Sequence, residues 1–152
     1  MSRSIYQLLA VIFSGFLVSC ASLQPKPYEL FGGAEKVALV VDYFIVEIGH
    51  DQEIFPFFAN TNVDRFSEKM IEQICVELEG PCAYTGDTMS RAHAGMKISA
   101  AQFNRVVELL INAMERADVD TRAQNILLSR LAPMRQEIMS TRPPVYIEPE
   151  VL

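Results

Sequence analysis

The sequence predicts an all-α domain, and three observations carry that expectation. Apolar residues recur at steps of three and four in several separate stretches, as on one face of a helix. No stretch alternates with the two-residue period of a strand. The chain has 152 residues, 50% of them hydrophobic, which suits one compact domain with a sizeable core. Neither an internal repeat nor a nucleotide-binding glycine pattern interrupts the series. A formal net charge of -6, with no clustered Lys or Arg, argues against a nucleic-acid partner and reads as a solubility feature.

Residues 1–19 read as a targeting segment rather than as part of the fold. Arg3 gives a positive flank, Leu8 to Val18 is a short apolar run, and Leu17-Val18-Ser19-Cys20 resembles a bacterial lipobox. In that motif the cysteine is acylated and becomes the mature N-terminus, so the expectation is a lipoprotein signal peptide with Cys20 as the lipidation site. The run is short for a spanning helix, which needs about 20 apolar residues. An uncleaved anchor helix or an ordinary secretory signal are the alternatives. Ala21 and Ser22 carry no acidic inner-membrane retention signal, which points to the periplasmic face of the outer membrane. Residues 20–29, with Pro25 and Pro27, are expected to be a tether.

The helices follow in order. Gly32-Gly33 separates a short first helix from a longer one, Ala34 to Ile48, with Val37, Val40, Val41, Phe44, Ile45 and Ile48 at helical spacing. Gly49-His50-Asp51 ends it, leaving His50 as a surface or capping group, and Pro56-Phe57-Phe58 makes a tight corner. Thr61 or Asn62 caps a helix to Leu78 with Phe66, Met70, Gln73, Ile74 and Cys75 inward, and Gly80-Pro81 stops it. A loop then carries His93. Ser99 caps a helix from Ala100 to Ala117 whose one face holds Phe103, Val106, Val107, Leu110 and Ala113. The last helix runs from Thr121 to Met139, and residues 140–152, with three prolines, read as a disordered tail.

One of only two histidines, His93, lies in Tyr84-Thr85-Gly86-Asp87-Thr88-Met89-Ser90-Arg91-Ala92-His93-Ala94-Gly95, ahead of two amphipathic helices. A neutral imidazole is a good axial ligand for haem iron. A lone histidine is more often structural, but several motifs surround this one. They are Leu30-Phe31-Gly32-Gly33, Val40-Val41-Asp42-Tyr43-Phe44, Pro56-Phe57-Phe58-Ala59-Asn60-Thr61-Asn62 and Glu79-Gly80-Pro81-Cys82-Ala83-Tyr84-Thr85-Gly86. Ala92-His93-Ala94-Gly95 and Leu131-Ala132-Pro133-Met134-Arg135-Gln136-Glu137-Ile138 complete the set. In order and spacing they resemble the group I truncated haemoglobins, over residues 30–139. That resemblance implies a truncated globin fold, a two-over-two helical sandwich around haem b.

Carried over residue by residue, the resemblance makes His93 the proximal iron ligand. Met89, Ile98, Phe103 and Val107 fall on the proximal wall, and Phe58 stacks against the macrocycle. Thr61, Lys69 and Tyr84 fall where the family places polar neighbours of the propionates. Each has a plainer reading, Phe58 as a core aromatic and Lys69 as a solvated helix-face cation.

On the distal side the chain departs from the family. Members typically place a tyrosine on the first long helix, immediately after the Phe44 position, and often a glutamine on the next, to hydrogen-bond the gas ligand. Those positions read here as Ile45 and Met70, with Phe66 beside them, all apolar. Tyr43 lies two residues away and points elsewhere. Gln73 shares a face with Phe66 and Met70 and is the alternative donor. Met70 also admits a second reading, a thioether at the sixth iron position, as in electron carriers.

Cys75 and Cys82 flank a helix end. In an oxidising compartment they pair as a disulfide; otherwise Cys75 is a buried thiol and Cys82 a free one. No CxxC pair or histidine cluster points to zinc. Three functions therefore stand side by side. The first is a membrane-anchored haem protein that binds oxygen, nitric oxide or carbon monoxide. The second is a haem redox or peroxidase-like protein served by an unidentified reductase, and the third is a haem-free interaction module.

Overall fold

The computed structural model describes residues 25–139; the signal segment, Cys20 and the tail after Met139 lie outside the described residues. Among the described residues all regular structure is helical. Helix α1 (Pro27–Phe31) opens inside the stretch expected to be tether. Proline at the first position has its φ preset for a helix and lacks an N–H that would go unpaired there anyway. The apolar face of α1 places Phe31 in the core, 1% exposed, so the domain begins before residue 30.

Gly32, at φ 108°, closes α1 and opens α2 (Gly33–His50). A Cβ at that position would meet Lys36 Cβ at 2.8 Å, so both the backbone and the space select glycine. The expected stripe of α2 is buried at Val37, Val40, Val41, Phe44 and Ile48. Lys36 Nζ donates to the Ala117 carbonyl at 2.7 Å, tying the start of α2 to the end of another helix. At the far end Asp51 accepts from the Glu53 and Ile54 backbone N–H groups and from Arg105 Nε at 2.7 Å. The Arg105 guanidinium, with those two amides, holds the Asp51 carboxyl below its ordinary pKa.

The corner helix α3 (Phe55–Phe58) leads to α4 (Val63–Glu77), where Asn62 accepts from the Arg65 N–H at 2.9 Å. Residues 78–88 form a strap across to α5 (Met89–Ala92), a helix that sequence periodicity could not show because four residues are about one turn. Ser99 and Gln102 form a reciprocal capping box on α6 (Ala100–Arg116), and Asp120 caps α7 (Thr121–Leu131). The expected single last helix is broken. Pro133 cannot donate to the ladder, so a 3₁₀ turn (Ala132–Met134) separates α7 from α8 (Arg135–Ile138).

Helix α2 packs against α6 and α4, and α7 packs against α1 and α4. The result is a pair of helices laid over a second pair. Ile74, Leu78, Leu109, Met114 and Leu127 join the α2 stripe in one apolar cluster. Burying each such side chain contributes roughly 1.5–3 kcal/mol.

Candidate functional site

Beside that core lies a cavity of about 520 Å³, within the range of cofactor sites. Helix α4 supplies Phe66, Met70 and Gln73, and α6 supplies Phe103, Val106, Val107 and Leu110. Met89, Ala92 and His93 come from α5 and its end, and Leu131, Met134 and Ile138 close the back. Phe44, Phe58 and Phe66 form an aromatic wall, with Phe58 edge-on to Phe66 at 5.2 Å between ring centroids. Among the polar lining residues Thr61, Asn62, Arg65 and Asp87 are exposed, so polarity concentrates at the mouth.

His93 is oriented by its own short helix. Thr88 caps α5, and the Met89 carbonyl accepts both the His93 backbone N–H at 3.1 Å and its ring Nδ1 at 2.8 Å. A carbonyl can only accept, so Nδ1 carries a proton, and in the neutral ring Nε2 is then the nitrogen with the free lone pair. That is the tautomer a metal-ligating imidazole needs.

The distal side requires one correction. Phe44, not Ile45, lines the cavity. Ile45 sits half-buried against the core, because one residue along a helix turns a side chain by about 100°. Tyr43 points away, its ring 4.2 Å beneath the Arg116 guanidinium. Phe66 and Met70 line the cavity, as does Gln73, 8% exposed. The Gln73 amide is already engaged, donating to Glu77 Oε1 at 2.9 Å and lying 3.9 Å from Met134 Sδ.

At the mouth, Lys69 is tied down. Its Nζ donates to Glu68 at 2.7 Å, to Glu72 at 2.9 Å and to Thr85 Oγ1 at 2.6 Å. Glu72 accepts the Thr85 N–H at 2.8 Å; that bond, followed by Lys69, holds its carboxyl down to about 2. The Tyr84 hydroxyl donates to the Asp87 carbonyl at 2.8 Å, and burial, then the Asp87 charge, raises its pKa. Sequence reasoning missed Arg65, whose nearest carboxylate, Asp87, is 3.9 Å away. The signal was present, since Arg65 precedes Lys69 by one helical turn on the face that meets the cavity.

Thr61, Lys69, Tyr84, Met89, Ile98, Phe103 and Val107 all line this one cavity with His93 and Phe58. Cys75 and Cys82 are joined as a disulfide, with Cα atoms 6.1 Å apart.

Two layers of helices around an apolar cavity that receives one correctly tautomerised imidazole define a haem-binding globin. The profile of bacterial-like globins matches residues 26–140. The group 1 truncated hemoglobin GlbN of Mycolicibacterium paratuberculosis is 33% identical over 111 residues, covering 73% of this chain and 82% of its own length. That of Nostoc sp. strain MUN 8820 is 26% identical over 113 residues, covering 74% and 96%. The solved truncated hemoglobin of Tetrahymena pyriformis, Fe(III) form, superimposes with a TM-score of 0.71 at 25% identity, over 74% of this chain and 97% of that one. The chain belongs to the bacterial-like globin family, among its group 1 truncated haemoglobins.

Proposed function

We propose that the chain is an envelope-anchored globin that holds haem b through His93 Nε2 and reversibly binds a diatomic gas beside an apolar wall of Phe44, Phe66 and Met70. The His93 Nδ1 bond to the Met89 carbonyl carries the haem reading, because it leaves Nε2 a neutral donor atom. The residues fit the group. Apolar walls suit the macrocycle, and Arg65, Lys69, Thr61 and Tyr84 stand at the mouth for the propionates. Of these Arg65 is the cation with least prior engagement, since Lys69 already has Glu68 and Glu72 within 3 Å.

Bound haem supplies an iron with an open coordination position. On the α2 and α4 side of the cavity stand Phe44, Phe66 and Met70, with the Gln73 amide turned to Glu77. A donor hydrogen-bonded to a polar gas ligand stabilises it by roughly 1–3 kcal/mol. Without one, oxygen leaves faster by about one to two powers of ten, at 1.4 kcal/mol per decade, while the less polar carbon monoxide is affected less. The pocket therefore suits sensing or transient binding of a gas better than oxygen storage. A ferrous absorption spectrum before and after carbon monoxide tests this. A five-coordinate spectrum that shifts on adding the gas is expected; a six-coordinate one that Met70→Leu converts would instead favour the electron-transfer reading.

Export is supported by the apolar run from Leu8 to Val18 ahead of Cys20 and by the disulfide, a bond that persists in oxidising compartments. With Cys20 acylated, Cys20→Ser leaves the signal uncleaved or moves the protein out of the detergent phase. Unchanged processing and lipid labelling would remove the anchor from the proposal.

A further inference from the structure

The two cysteines of the disulfide lie in very different surroundings. Cys75 is 1% exposed, inside the core-facing side of α4, whereas Cys82 lies on the exposed strap. Gly80 passes directly over the buried sulfur. A Cβ there would fall 2.5 Å from Cys75 Sγ and 2.7 Å from Tyr28 Cδ2, so only glycine lets the strap close down. The same strap continues through Thr85, held by Glu72 and Lys69, to Thr88, the cap of the helix that carries His93. One covalent bond thus ties the distal wall to the segment that leads to the proximal ligand.

We propose that the Cys75–Cys82 bond is a thiol–disulfide exchange site, attacked at Cys82 by a dithiol reductant, and that opening it loosens the hold on haem. A thiolate of the reductant attacks Cys82 Sγ and forms a mixed disulfide. The Cys75–Cys82 bond breaks, and its electron pair leaves on Cys75 Sγ, which takes a proton. The reductant's second thiolate then attacks its own partner sulfur, forming an internal disulfide and releasing Cys82, which is protonated in turn. Two electrons and two protons pass to the globin. A thiolate expelled into an apolar interior is a poor leaving group, and it stays beside the mixed disulfide at high effective concentration. A monothiol adduct therefore reverts, while a dithiol captures the open form.

The loosening rests on the haem-binding reading; the exchange itself does not. The full-length oxidised protein, loaded with ferric haem, is treated with dithiothreitol or with glutathione, acid-quenched, and mapped by mass spectrometry after alkylation. Dithiothreitol is expected to add two alkylated cysteines under native conditions and glutathione none, with any trapped adduct on Cys82. Haem transfer to an apo-globin acceptor is expected to be about tenfold faster from the double variant Cys75→Ser/Cys82→Ser than from the oxidised protein. Cys82→Ser, which leaves the buried side chain in place, serves where the double variant does not fold. An adduct on Cys75, a bond that resists dithiothreitol, or transfer rates within twofold of each other would each overturn the proposal. Failure of both forms to hold haem would overturn the loosening and the haem reading together, leaving the exchange to be judged by alkylation alone.

Discussion

The two walls of the cavity are held in opposite ways. Helix α4 is 15 residues long and buries Gln73, Ile74 and Cys75. Its end is fastened by the disulfide, and Arg130 from α7 donates to the Glu77 carbonyl and the Glu79 carboxylate. The segment bearing His93 is a four-residue helix with no buried residue, followed by an exposed turn. Its fixed points are the Thr88 cap, the two bonds to the Met89 carbonyl and packing against α8. The distal wall is thus shaped by the protein alone, while the proximal wall is aimed locally and completed by what it binds. Substitutions on the two sides should therefore fail differently.

The largest effect belongs to the proximal side. His93→Gly removes the imidazole that lines the cavity, so haem should be lost on purification and retained when imidazole is added; His50→Ala, at the exposed end of α2, should leave the spectrum unchanged. Equal losses from the two would show that the ligand is elsewhere. Next comes the distal side, where a rigid wall should register a single new donor. Phe44→Tyr places a phenol in the cavity and should slow oxygen dissociation by about tenfold or more, while Ile45→Tyr, one residue on, should not. The reverse result would restore the position first read from the sequence.

The smallest effect concerns the lock between α4 and the strap. Because folding lowers the Glu72 carboxyl from its ordinary 4.5 to about 2, the stabilisation it gives is fully present above 4.5 and is lost as pH falls through about 2. Glu72→Gln should flatten this part of the acid-unfolding curve and leave stability near neutrality little changed in its pH slope. Identical curves for variant and wild type between pH 5 and about 2 would show that the strap is held by other contacts.

Much of this was legible because helices longer than two turns declare their inward face. Most of the α2 stripe, the Ser99 cap and the Gly80-Pro81 stop could be placed from spacing alone, whereas spacing left the α4 cap open between Thr61 and Asn62 and did not name Leu109 and Met114, which α6 buries. What was not legible has a physical reason in each case. Pro27 suits a tether as well as a helix start, because proline both breaks and begins helices, and only packing of Phe31 decides which. Pro133 splits the last helix although the apolar period runs through it. Ile45 and Phe44 differ by one residue, and both fit the same apolar stripe; only the cavity separates them. The pairing of Cys75 with Cys82 depends on the turn between them, whose tightness is set by Gly80 under Tyr28. The engagement of Gln73 by Glu77 was within reach, four residues apart on one helix.

The partner of His93 Nδ1 also bears on electronics. In this chain the ring N–H is spent on an uncharged peptide oxygen, that of Met89, rather than on a carboxylate. A carboxylate in that place would pull the proton and lend the ring the character of an anion, raising ligand basicity and pushing electron density toward the metal. A peptide oxygen does this only weakly. An iron held by His93 would therefore meet a modest donor, which would not disfavour its reduced form and would give little push toward cleaving an oxygen–oxygen bond. With haem held as proposed, the backbone of one short helix would thereby favour reversible capture of a gas over peroxide activation.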